Sequence, residues 1–163
     1  KSVRDRSELA TERAFITQTW DLVLHAFPCE SWIELPKPPL QSVTHVKYRD
    51  TAGTLQTWAS TNYVLTGDTA TAPVLNPRQS RALLALAYGE TWPSTYGQAG
   101  DVQIRFVCGY GAASAVPSLL KDAMLMDLAA LYGPDREGGE RKRTRIDDIY
   151  WSYRSHVTQR VAA

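Results

Sequence analysis

The spacing of apolar positions in this chain changes several times. From Lys1 to Ala14 the sequence is polar and helix-permissive, with Leu9 and Ala10 as its apolar cluster. This reads as the end of a helix, 1–14, that begins upstream of Lys1. From Phe15 the period becomes two. Ile16, Gln18, Trp20, Leu22 and Leu24 fall on one side, and Thr17, Thr19, Asp21, Val23 and His25 on the other, which predicts a strand stopped by Pro28. Trp32–Leu35 predicts a short strand, closed by a rigid connection through Pro36, Pro38 and Pro39. Val43–Arg49 and Thr54–Ala59 predict two strands around an Asp50-Thr51-Ala52-Gly53 loop, and Asn62–Leu65 a further piece. Thr66-Gly67-Asp68 marks a turn. Val74-Leu75 reads as a brief strand, Arg81–Tyr88 fits helix or strand, and Trp92-Pro93-Ser94 and Tyr96-Gly97 read as loop. Val102–Val107 alternates cleanly and predicts a strand.

The period then lengthens. Pro117 suits a first helical turn, and Leu120, Ala123, Met124, Asp127, Leu128 and Leu131 recur at helical spacing up to Gly133-Pro134. Asp135–Arg143 reads as a charged loop. Thr144 is a good N-cap for a last helix, with Asp147 and Asp148 in its first turn. Ile146, Ile149, Tyr150, Tyr153 and Val157 give that helix an apolar stripe. The expected fold is α+β, a single domain over 1–163. It has a helix end at 1–14, a mostly antiparallel β-rich region at 15–110, and helices at 117–133 and 144–160. A helix of about 17 residues is marginal without packing, and Gly138-Gly139 precedes it, so the last helix is expected to be mobile or provisionally packed.

Charge narrows the function classes. The net charge is +1 and both signs are spread evenly along the chain, whereas a protein that grips duplex DNA usually carries a basic excess. Cys29 and Cys108 are too few for a disulfide scaffold and have no CxxC spacing, which fits a reducing compartment. No stretch has the ~18 apolar residues of a membrane span, and no membrane partner is expected.

Four features remain as candidate chemistry. Gly109-Tyr110-Gly111-Ala112-Ala113-Ser114 follows a strand and imitates a dinucleotide fingerprint, but lacks the third glycine and a βαβ setting. A tight turn that needs positive φ or close packing is the simpler reading. His25, His45 and His156 have no zinc spacing, and Cys108 ends a buried-looking strand. No metal, cofactor, small-molecule substrate or catalytic residue is therefore expected. Arg141, Lys142, Arg143 and Arg145 form the one basic cluster, a solvated loop or a contact for DNA or an acidic partner surface. Tyr150-Trp151-Ser152-Tyr153-Arg154 places three large aromatics and an arginine within five residues. Neighbouring helical positions cannot all face one core, and Tyr, Trp and Arg are typical interface anchors. Ile146, Ile149, Tyr150, Trp151, Tyr153, Arg154 and Val157 are thus read as a protein–protein docking helix.

Two segments also resemble a known family. Arg13-Ala14-Phe15-Ile16-Thr17-Gln18-Thr19-Trp20-Asp21-Leu22 and Ile33-Glu34-Leu35-Pro36-Lys37-Pro38-Pro39-Leu40-Gln41-Ser42-Val43 resemble the opening of tailed-phage head–tail connector (adaptor) proteins, a group with prophage and gene-transfer-agent members. Tyr48–Thr54, Arg105–Gly111 and Val116–Ala123 continue the likeness, which spans roughly 13–133. Residues 66–100 depart from it, and Arg78–Tyr88 reads as an insertion. The resemblance implies a structural virion protein rather than an enzyme. It implies a ring, commonly of twelve neighbouring subunits, beneath the portal protein. That ring would join the portal to a tail stopper or tail terminator and line the channel where packaged DNA passes. The C-terminal segment would engage the portal. The location implied is the head–tail interface of the virion, after assembly in the bacterial host cytoplasm.

Overall fold

A computed structural model describes residues 2–70, 81–132 and 139–155. The expected strand at Val74-Leu75 lies outside them, as do His156 and Val157.

Among the described residues, seven strands form two antiparallel sheets. They are β1 (Gln18–Leu24), β2 (Trp32–Leu35), β3 (Leu40–Arg49), β4 (Leu55–Trp58), β5 (Tyr63–Gly67), β6 (Ala82–Leu86) and β7 (Val102–Cys108). The larger sheet has the order β1-β7-β3-β4 and the smaller β2-β6-β5. β7 is central to the larger sheet, and its alternation decides the core: Val102, Ile104, Phe106 and Cys108 are fully buried, while Gln103 and Arg105 face out. Ile33, Leu35, Tyr63, Ala82 and Leu84 of the smaller sheet share that core, so each sheet buries its apolar face against the other. Phe27 and Trp92 stack at 5.0 Å and continue onto Trp58 and Tyr63. In the β3–β4 hairpin, an Asp50 carboxylate oxygen accepts from the amides of Ala52 and Thr54, and Gly53 takes φ 82°. This is the turn chemistry that the sequence carries there.

The ambiguous Arg81–Tyr88 segment is a strand, not a helix. β6 is paired on both edges, with β2 and with β5, and its run does not alternate because Leu83 and Ala85, on the face opposite buried Ala82 and Leu84, are apolar and half-buried. The expected insertion at Arg78–Tyr88 lies in part outside the described residues; its described part, from Arg81, carries β6, around which the smaller sheet is built.

Among the described residues three α-helices form the second part of the molecule: α1 (Ser2–Thr11), α2 (Ser118–Tyr132) and α3 (Gly139–Tyr153). They close around Phe15, Val116, Leu120, Ala123, Ile146 and Tyr150. Two expectations change here. α3 begins at Gly139, five residues before Thr144, so Arg141, Lys142 and Arg143 belong to the helix and not to a loop. Glu140, Arg141, Lys142 and Arg143 are good helix formers. The second concerns the last helix, whose apolar stripe is packed on its own chain. Ile146 and Tyr150 are 1% and 2% exposed, because the apolar stripe is what completes the small helical core.

Candidate functional site

α3 distributes the expected docking residues over several environments. Ile146 and Tyr150 lie in the helical core, with Ile149 and Tyr153 packed half-buried at its margin. Trp151 remains 49% exposed, and the Arg154 guanidinium lies 5.4 Å from its ring centroid. Such a stack orders both groups at a surface. Thr144, Arg145, Asp147 and Asp148 are exposed on the same helix. The apolar stripe that sequence periodicity offered to a partner is therefore largely used within the chain. The surface left outward is Trp151 with Arg154 and the polar side of α3.

Buried polar contacts fix where that surface sits. Arg13 is only 2% exposed. Its Nε donates to the Tyr153 carbonyl at 2.6 Å, and its Nη1 donates to Asp68 Oδ2 at 2.8 Å and to the Tyr110 hydroxyl at 3.3 Å. One guanidinium thus ties the end of α3 to the residue that follows β5 and to the turn after β7. The rigid five-donor fork of arginine suits this role, which a lysine could not fill. Arg154 donates to Glu12 Oε1 through Nε and Nη2, and the Ser155 amide donates to the Thr11 carbonyl. Glu12 holds φ 55°, an uncommon value for a residue with a side chain, at the end of α1. The Glu8 carboxylate accepts from the Phe15 amide and from Gln18 Nε2, which steers the chain from α1 into β1. In the helical core, Ser7 Oγ lies 2.7 Å from the Tyr150 hydroxyl, and Arg6 pairs with buried Asp127. Burial is the main force raising the Tyr150 hydroxyl above the usual tyrosine range.

Of these polar groups the sequence singles out Tyr150 and Arg154, as docking residues, and gives the others no role. Asp127 was counted in the apolar stripe of its helix, and it is indeed buried there. The nearest signal for Arg13 is that the family-like segment begins at it.

The glycine-containing turn is structural in its geometry. Gly109 has φ 111°, and a Cβ there would run into the Ile16 carbonyl; Gly111 has φ 93°. A 3₁₀ turn over Ala113–Ala115 intervenes, and α2 starts only at Ser118, so no helix N-terminus opens onto the glycines to meet a phosphate. Cys108 is buried and its thiol is pushed up to about 12, chiefly by burial, which suits a small core hydrophobe rather than a nucleophile. Cys29 and His25 are exposed and His45 is half-buried. Among the described residues no cluster of three His, Cys, Asp or Glu is placed to hold a metal. No described helix is long and apolar enough to cross a membrane.

Comparison with solved structures places this fold. The chain is similar to one in the neck of a native gene transfer agent (GTA) particle computed with C12 symmetry, at TM-score 0.68 and 23% identity, over 94% of this chain and 78% of that one. It is equally similar to a chain in the virion of a native GTA particle, covering 73% of that chain. The same holds for a chain in the neck of an empty GTA particle computed with C6 symmetry, covering 74%. At this identity the likeness establishes a common fold, sandwich and helical layer together. No family model matches the chain, and no curated protein matches it.

Proposed function

We propose that this protein is a structural component of a virion neck: an adaptor subunit in a ring, most simply of twelve copies, between the portal protein and a tail stopper or terminator. The observation that carries the reading is the shared fold over 94% of the chain with a component of GTA particles whose necks were computed with C12 and C6 symmetry. Two further features support it. The near-neutral charge of +1 suits a channel wall that packaged DNA must slide past, since a strongly basic wall would hold the phosphates. The buried thiol and the packed glycine turn leave the expected candidates for catalysis and nucleotide binding with structural work. In this reading the exposed side of α3, with Trp151 and Arg154, faces the portal. Arg145 and the helical segment bearing Arg141, Lys142 and Arg143 meet DNA or an acidic partner surface. Assembly takes place in the bacterial cytoplasm.

The test is co-assembly. The full chain, mixed with the portal protein encoded with it, is expected to co-sediment as a portal–ring complex. Particles made without the chain are expected to have filled heads and no tails. A chain that stays apart from the portal, with tailed particles formed in its absence, overturns the reading.

A further inference from the structure

The larger sheet ends in two edges, β1 on one side and β4 on the other. Every pairing across it is antiparallel, so β1 and β3 run one way and β7 and β4 the other. The two edges are therefore antiparallel to each other. No described backbone group bonds to the outer side of either strand. A copy placed beside another without inversion brings β4 of one against β1 of the next, with the directions an antiparallel ladder needs. A head-to-tail ring also requires two different complementary surfaces on each subunit. A two-fold dimer through β1 alone would instead leave β4 unused.

The side chains select one register. On β4, Leu55 and Thr57 point to the outer face of the sheet, opposite Arg49 and Lys47, and Gln56 and Trp58 point to the inner face. On β1, Asp21 and Val23 are outward, while Trp20 and Leu22 oppose the buried Phe106 and Ile104. Shifting the pairing by one residue puts outward side chains against inward ones. Shifting it by two sets Leu55 against Asp21. Setting Leu55 opposite Val23 aligns all four residues of β4. Leu55 and Val23, 52% and 55% exposed, then cover one another, the Thr57 hydroxyl meets the Asp21 carboxylate, and Gln56 and Trp58 stand opposite Leu22 and Trp20.

We infer that neighbouring copies join by adding the β4 edge of one to the β1 edge of the next, with Leu55 opposite Val23. This rests on the ring reading above and names the contact that builds the ring. A four-residue edge makes a weak joint alone, so copies come together when a template gathers them.

The experiment uses the full chain with Cys29→Ser, mixed with the portal under mild oxidation. Paired positions in a ladder lie about 4.5–5.5 Å apart, within disulfide reach. Val23→Cys and Leu55→Cys in one chain should yield a ladder of products in steps of 18.2 kDa. Two preparations carrying one change each should cross-link only when mixed. Thr19→Cys with Leu55→Cys, displaced about 13 Å along the strand, should give at least tenfold less product. Rings visible by microscopy without the ladder overturn this contact and leave the ring reading standing. Cross-linking of Val23→Cys chains alone overturns it too, because that is a two-fold contact. Absence of rings from the unsubstituted chain with its portal overturns both.

Discussion

The sandwich and the helical layer are held together by different physics. Between the sheets, Phe106, Ile104, Leu84 and Leu35 are buried apolar side chains, and burial of that kind has no preferred direction. The helical core has six fully buried members and is stitched by directed contacts: Arg6–Asp127, Ser7–Tyr150, Arg154–Glu12 and the Arg13 fork. The sandwich can tolerate repacking. The helical layer, which carries the outward face of α3, is positioned by contacts that depend on direction as well as distance.

The largest expected effects compare the two regions directly. Phe106→Ala removes a fully buried ring from the sandwich, at a cost of about 3–5 kcal/mol. Arg13→Met strips buried Asp68 of its guanidinium, at a similar cost of about 3–5 kcal/mol. Urea unfolding followed by tryptophan fluorescence and by helical circular dichroism distinguishes their reach. Both substitutions should lower one shared transition, because Arg13 bridges the two parts. Separate transitions after Arg13→Met alone would mean that this fork is the principal coupling. Asp68→Asn in the Arg13→Met chain should return part of the loss, since it removes the charge that the guanidinium offset.

The next effect falls on the turn between the regions. Gly109→Ala forces a side chain onto the Ile16 carbonyl at φ 111°. It should cost at least the ~1–3 kcal/mol of a strained backbone conformation without changing any ligand affinity. Tyr150→Phe, in the helical layer, should cost about 1 kcal/mol through loss of its bond with Ser7, and Arg154 should stay on Glu12.

How legible each region was follows from the same physics. Alternation located β7 to within one residue, because a strand with one face on the core buries every second side chain, and the prolines after Leu35 bounded β2. Alternation left Arg81–Tyr88 open, because Leu83 and Ala85 on the second face of β6 are apolar and half-buried too, so the contrast is lost. The stripe on α3 was visible too, but the pattern could not say whether its own chain or another covers it. That depends on Phe15, Leu120 and Ala123, distant in sequence. The anchors Arg13, Glu8 and Asp127 stay hidden because a buried charge looks like a solvated one until its partner, up to 140 residues away, is in place.

The smallest expected effect is a pH dependence in the sandwich. Glu34 is buried, its oxygens accept no hydrogen bond, and Arg81 Nε stands 3.7 Å away. Burial raises its carboxyl above the ordinary range, partly opposed by Arg81. A carboxyl that holds its proton more tightly when folded gives a contribution fully present below its unfolded value and lost as pH rises through the folded one. Glu34→Gln should therefore flatten the fall in stability across that window and gain most at neutral pH. Asp21, held low by its exposed bidentate pairing with Arg105, has the opposite sign: its small contribution is present at neutral pH and lost as pH falls. Denaturant midpoints at stepped pH separate the two.

A cryo-EM reconstruction of the chain assembled on its portal decides whether this fold is a ring subunit of a virion neck, as proposed. A closed ring coaxial with the portal, with an open axial channel, is the expected result. Each subunit should direct the Trp151 side of α3 at the portal, and adjacent subunits should meet β4 to β1. A two-fold dimer off the portal axis, or no density for the chain between portal and tail, would contradict it.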